Sequence, residues 1–182
     1  MIKDLGIEIT RKCNIKCKHC IRGEAQNKNI DFKHIDTILS KTTSIGALAF
    51  TGGEPSLNVP AMRYFIDECK RRNISISFFY IATNGIRLSN EFVDVCRELH
   101  EMCKYPEYSS VQISNDIYHM EQCHYDDTLL KVMGSIPENI FINDTRVKKE
   151  NIHKYLDEGF EEDTCVYLFD STKKNIKDVS IG

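Results

Sequence analysis

The 182-residue sequence predicts an α/β fold of parallel strands joined by helices. Short apolar runs of strand length recur six times, segments of helical periodicity lie between them, and polar clusters follow one run after another. Alternation of this kind favours right-handed parallel crossovers, giving either an open doubly wound sheet or part of a barrel.

The first run, LGIEIT (5–10), leads straight into CNIKCKHC (13–20). Phe32, Ile35, Ile38 and Leu39 then share one helical face behind Asp31, which is placed as an N-cap. The second strand, ALAFT (47–51), runs into TGGEP (51–55), and a helix with Met62, Phe65, Ile66 and Cys69 on one face follows Pro60, a residue suited to a first helical turn. The third strand, ISISFFYIA (74–82), ends in TNG (83–85), and a helix bearing Phe92, Cys96, Leu99 and Cys103 follows Ser89. The fourth, SVQIS (110–114), leads into SND (114–116), and the fifth, IFI (140–142), into NDTR (143–146). Weaker helical patterns lie at Asp126–Met133 and Glu150–Leu156, the latter stopped by Gly159, before the sixth strand, VYLF (166–169). The clusters thus gather at the carboxyl ends of strands, where the loops of parallel sheets and barrels converge on one mouth.

Composition sets the context. A chain of this length with 41% hydrophobic side chains suits one domain, 1–182, with 171–182 as a C-terminal extension. The net charge of −3 is spread along the chain, so nucleic acid is not indicated as a partner. The expected setting is soluble and cytoplasmic, because no secretory leader and no apolar run of about 18 residues is present. Eight cysteines are then expected to be reduced thiols that hold metal or do chemistry.

Cys13, Cys17 and Cys20 sit at spacings of four and three in one short loop, which lets three sulfurs face one soft metal centre. Lys12, Lys16 and Lys18 are expected to favour the thiolate form. Structural zinc normally takes four protein ligands, as does a cubane iron–sulfur cluster. His19, locked between two of the cysteines, is poorly placed to supply the fourth. Three thiolates leave one metal position open, as a catalytic metal requires.

The Cys13-x-x-x-Cys17-x-x-Cys20 loop after a first strand, with Thr51-Gly-Gly-Glu-Pro55 ending the second, resembles the radical S-adenosylmethionine (radical SAM) superfamily over essentially the whole chain. The resemblance implies a partial (β/α)6 TIM-type barrel of parallel strands with outer helices. It implies a 4Fe-4S cluster on Cys13, Cys17 and Cys20, with S-adenosyl-L-methionine chelating the fourth iron. Reductive cleavage of that cofactor would give a 5′-deoxyadenosyl radical that abstracts a hydrogen atom from substrate. The electron would come from a low-potential donor such as flavodoxin or ferredoxin.

By the same resemblance, His19 lies on the adenine side, and Thr51, Gly52, Gly53 and Glu54 receive the cofactor's amino group. Thr83 and Asn84 contact cofactor or substrate, Ser114 and Asp116 lie near the ribose hydroxyls, and Arg146 pairs with the carboxylate. Turn formation is the competing reading of Thr83, Asn84 and Gly85, and a solvated surface position that of Arg146.

Cys69, Cys96, Cys103 and Cys165 read as small core residues rather than a second cluster, while Cys123, beside His124 and close to His119, reads as a loop cysteine near the mouth. A peptide or protein is the first expected substrate class, nucleotide or nucleoside chemistry the second and activation of a glycyl-radical enzyme the third. The competing class is a non-catalytic scaffold binding zinc or an inert cluster. Only DSTKKNIKDVSIG follows the sixth strand, where many members of the family continue into a further domain.

Overall fold

The computed structural model describes residues 1–17, 20, 22–86, 88–114 and 119, together with three short strands at 141–144, 165–167 and 173–175. Strand β1 (Ile2–Thr10) is followed by helix α1 (Phe32–Ser40), β2 (Ser44–Gly52), α2 (Val59–Arg71), β3 (Ser75–Thr83), α3 (Asn90–Met102) and β4 (Ser110–Ser114). Strands β5 (Phe141–Asp144), β6 (Cys165–Tyr167) and β7 (Lys173–Asn175) complete the sheet, whose order is β5-β4-β3-β2-β1-β6-β7. Neighbours from β1 to β5 run parallel and in sequence, as the partial-barrel reading requires.

Local signals explain the helix starts. The Asp31 carboxylate accepts from Lys33 N at 3.0 Å, making the expected cap, and the Ser89 hydroxyl caps α3 by accepting from Phe92 N at 3.1 Å. Pro60 lies in the first turn of α2, where its missing N–H costs no hydrogen bond.

One sheet face carries the helices. Leu5, Ile7, Ile9, Leu48, Phe50, Phe79, Ile81, Val111 and Ile113 pack against Ile35, Leu39, Met62, Phe65, Ile66, Phe92, Val95 and Leu99 in one buried cluster. Phe50 meets Phe65 edge to face, with ring centroids 5.3 Å apart. Cys69, Cys96 and Cys103 are buried here, as expected of core residues. The opposite face alternates with it and bears smaller or more polar groups, among them Gly6, Glu8, Ala47, Ala49, Thr51, Tyr80, Gln112 and Ser114.

Two features depart from the six-strand expectation. The sixth strand lies beside β1 (Ile7 pairs with Tyr167), and a seventh, antiparallel to it, falls within the segment expected as an extension. Both act on the same problem: β1 would otherwise be a bare sheet edge, and edges tend to be covered or kept short. No helix among the described residues is long and apolar enough to cross a membrane. The two weaker helices expected at 126–133 and 150–156 lie outside the described residues.

Candidate metal centre at the carboxyl end of the sheet

The cysteine loop leaves β1 and is tied down where it returns. Arg11 N donates to Lys28 O, Gln26 N to Arg11 O and Ile30 N to Ile9 O, at 2.9, 2.9 and 3.0 Å. The Thr10 hydroxyl lies 2.8 Å from Asn29 Oδ1 and 3.1 Å from Lys28 O, adding a side-chain latch at the same point.

The TGGEP segment is pressed onto this loop. Gly53 N donates to Thr10 O at 2.9 Å and Glu54 N to Lys12 O at 2.8 Å, which carries the β1–β2 ladder past the strand ends. Only glycine fits twice in succession here. A Cβ at Gly52 would stand 2.1 Å from Thr10 O and one at Gly53 2.2 Å from Lys12 O, and Gly52 also has φ +150°.

Glu54 is 2% exposed, and its carboxylate is the hub of the site. Oε1 accepts from Ser56 N at 3.0 Å and from the Thr83 hydroxyl at 2.6 Å, while Oε2 accepts from Asn84 N at 2.7 Å. One carboxylate therefore joins the ends of β2 and β3 to the start of the turn before α2. No cation among the described residues pairs with it, and the donors that hold it are all neutral. The neighbouring Ser56 Oγ is buried with no hydrogen-bond partner among the described residues.

The TNG segment is both the turn and the clamp. Gly85 adopts φ +71°, and Ile86 N donates to Asn84 Oδ1 at 3.1 Å, an Asx turn. The Asn84 amide nitrogen reaches across to Asn14 Oδ1 at 2.8 Å and to Cys13 Sγ at 4.0 Å.

Cys13, Cys17 and Cys20 carry reduced thiols, all half-buried. Burial is the main influence on Cys13 and pushes its thiol above the usual range, opposed by the Ile15 amide and reinforced by the Glu54 charge. Neither Lys12 nor Lys16, expected to favour the thiolate, is among the influences on Cys13, and Lys18 lies outside the described residues. Lys16 pairs instead with Glu24 at 2.8 Å, both side chains largely in solvent. Cys17 Sγ lies 3.7 Å from Nε2 of His119, which follows β4.

A further cluster lies one step down on the open face. Glu8 and Thr51 are cross-strand partners, and Arg22 spans both, donating to Glu8 Oε1 at 2.9 Å and to the Thr51 hydroxyl at 2.6 Å. Arg11 Nε reaches the other Glu8 oxygen at 3.3 Å.

The sequence model of the Radical SAM superfamily matches residues 7–179. This chain belongs to that superfamily. An uncharacterized protein of Methanocaldococcus jannaschii is 31% identical over 103 residues, which is 54% of this chain and 36% of that one. Among solved structures, anSMEcpe with bound AdoMet and a Cp18Cys peptide superposes with TM-score 0.58 at 17% identity, over 87% of this chain and 48% of that chain, a likeness of fold. SuiB of Streptococcus suis, bound to precursor peptide SuiA, reaches TM-score 0.44 at 20% identity over 62% of this chain and 24% of that one. The radical SAM chain described here thus spans 36% of the M. jannaschii protein and 48% of anSMEcpe.

Superfamily membership implies S-adenosylmethionine and a 4Fe-4S cluster, and the residues present fit them. Three reduced thiols share one anchored loop, the two glycines bring backbone against it, and a buried carboxylate with no cationic partner among the described residues adjoins Cys13. No three Cys, His, Asp or Glu side chains among the described residues are already drawn together as a metal-ligand set. Gathering of such ligands around the metal is ordinary where binding and local folding are coupled.

Other expected residues fall into place unevenly. Thr51, Thr83 and Asn84 are occupied by Arg22, Glu54 and the cysteine loop, respectively. Ser114 ends β4, half-buried, in register with Asp144. His19, Asp116 and Arg146 lie outside the described residues, as do the side chains of Cys123 and Cys165. Sequence reasoning passed over Glu8, Arg22 and Asn14. A charged residue in the middle of IEIT was the available signal for the first, and an arginine two positions beyond Cys20 for the second.

Proposed function

We propose that this chain is the core of a radical SAM enzyme that removes a hydrogen atom from a peptide or protein substrate. The reading takes residues 1–182 as one core domain with 171–182 as its extension. When bound, the cluster and S-adenosylmethionine supply a 5′-deoxyadenosyl radical capable of that abstraction.

Cys13, Cys17 and Cys20 are assigned as the cluster ligands, and the backbone of Gly52 and Gly53 as the surface that meets the cofactor's amino group. Glu54 carries the reading. A buried carboxylate costs free energy unless hydrogen bonds or a cation offset it, and here three neutral donors hold it beside Cys13 with no cationic partner among the described residues. An ammonium group is the complement that such a site takes. Thr83 and Asn84 fix that carboxylate in place, and Thr51 holds Arg22. His19 is assigned to the adenine side, Ser114 and Asp116 to the ribose, and Arg146 to the cofactor carboxylate.

The peptide class is supported by the fold relative anSMEcpe, which was solved with a peptide. Nucleoside chemistry and activation of a glycyl-radical enzyme are the alternative reactions on the same core. A low-potential donor such as flavodoxin or ferredoxin supplies the electron.

The test is anaerobic reconstitution with iron and sulfide, dithionite reduction, addition of S-adenosylmethionine and chromatography for 5′-deoxyadenosine. The expected result is its formation by the wild type and its absence in Cys17→Ala. Stoichiometric colourless zinc in the protein as isolated, with no cluster on reconstitution, overturns the enzyme reading in favour of the scaffold. Peptide pools, nucleosides and glycyl-radical proteins, each added in turn, then separate the substrate classes by which one accelerates cofactor cleavage.

A further inference from the structure

Two side chains from different strand ends bring a nitrogen atom to a cysteine sulfur. Asn84, after β3, brings Nδ2 to 4.0 Å from Cys13 Sγ, and His119, after β4, brings Nε2 to 3.7 Å from Cys17 Sγ. Sulfur is large, and these separations are within hydrogen-bonding reach for it.

The chemistry of each pair fixes its direction. Asn84 Oδ1 already accepts from Ile86 N at 3.1 Å and its Nδ2 donates to Asn14 Oδ1 at 2.8 Å, so the amide is oriented with its NH2 toward Cys13. The backbone N–H of Asn84 is held by Glu54 at 2.7 Å, which removes freedom to turn away. For His119 the argument is one of protons. A thiolate bound to iron carries no hydrogen, so a favourable contact with it requires the tautomer with hydrogen on Nε2.

We propose that Asn84 and His119 are positioning residues that donate N–H···S hydrogen bonds to the Cys13 and Cys17 thiolates and thereby raise the reduction potential of the cluster. The inference rests on the cluster assignment above. Reduction adds negative charge to the cluster and its sulfurs, and a donor aimed at a ligand sulfur stabilises that charge, one of the recognised controls on cluster potential. His119 also gives the β4 end of the sheet a direct part in setting the electron transfer, because it lies 102 residues from Cys17 in the chain.

The test uses the full chain, reconstituted anaerobically, with redox titration followed by the electron paramagnetic resonance signal of the reduced cluster and no S-adenosylmethionine present. Wild type is compared with His119→Phe, His119→Gln and Asn84→Asp. The expected result is equal iron and sulfide content throughout, a more negative potential in His119→Phe and Asn84→Asp, and a potential near wild type in His119→Gln, which keeps a donor. Equal potentials in wild type and His119→Phe, both with a full cluster, overturn the proposal while leaving the cluster assignment intact. Loss of iron from both His119 variants, with far-ultraviolet circular dichroism unchanged, overturns it in favour of His119 as a metal ligand. A wild type that takes up no iron overturns the cluster assignment and this inference with it.

Discussion

Arg22 donates to the Thr51 hydroxyl at 2.6 Å and to Glu8 at 2.9 Å, stitching the end of the cysteine loop to the open face of β1 and β2. The Glu8 side chain is 3% exposed, so its charge depends on Arg22 and Arg11 for compensation. Removing one partner of a buried pair leaves the other in a low-dielectric site. Arg22→Met should therefore destabilise the protein by about 2 kcal/mol, less than a full orphaning because Arg11 remains. The double change Arg22→Met with Glu8→Gln should recover part of that loss. Urea denaturation of the two variants checks both statements; a single variant as stable as wild type would refute them.

Gly53→Ala places a methyl group 2.2 Å from a backbone carbonyl, and backbone cannot step aside as a flexible side chain can. The expected cost is about 3 kcal/mol, together with loss of the ladder that holds Glu54 against the loop. Iron content after reconstitution should fall well below wild type, while Gly6→Ala, where a Cβ meets nothing within 4 Å, should load normally.

Thiol reactivity should divide the cysteines. Burial pushes Cys69 up to about 12 and Cys103 up to about 11, and fully buried Cys96 is raised as well, so these three should resist iodoacetamide in the native apoprotein. Cys13, Cys17 and Cys20, all half-buried, should be modified first. Peptide mapping by mass spectrometry reads the order directly. Early alkylation at Cys96 would contradict its place in the core.

Glu68 on α2 is held down to about 2 by hydrogen bonds from Arg71 and Arg72, and Arg72 continues to Asp36 on α1 at 2.6 Å. Its folded pKa lies below the unfolded value of 4.5, so its stabilisation is fully present above 4.5 and is lost as pH falls toward about 2. The difference in Tm between wild type and Glu68→Gln should accordingly be constant at neutral and mildly acidic pH and shrink below 4.5. A difference that grows on acidification would reverse the sign of this linkage.

The strands and helix starts were legible because their signals are local. Asp31 caps where its side chain predicts, and the apolar spacing of α2 and α3 names the buried face correctly. The place of β6 beside β1 was not legible, because strand order depends on which edge needs covering rather than on any short pattern. Strand β7, with sequence KKN, lacks the apolar alternation that marks a strand and exists through its partner β6. In the site, CNIKCKHC and TGGEP pointed to the superfamily, whereas the contacts of Glu8 and Arg22 depend on a loop folding back on its own strand. The internal contacts of Thr83 were likewise invisible, since one Thr in a turn reads alike whether it faces a ligand or a neighbouring carboxylate.

Between Glu8 and Thr10 the β1 register slips, so that two steps on β1 match a single step from Thr51 to Gly52 on β2. A slip of this kind bends the strand and re-aims the residues beyond it. The cysteine loop and the glycine pair are consequently phased to each other, and neither is a portable cassette. A chimaera that exchanges residues 11–28 alone would inherit its host's phase, whereas one cut upstream of Glu8 and downstream of Glu54 would carry the alignment with it. For protein engineering, the smallest transferable unit is the bent strand, its loop and the adjoining strand end together.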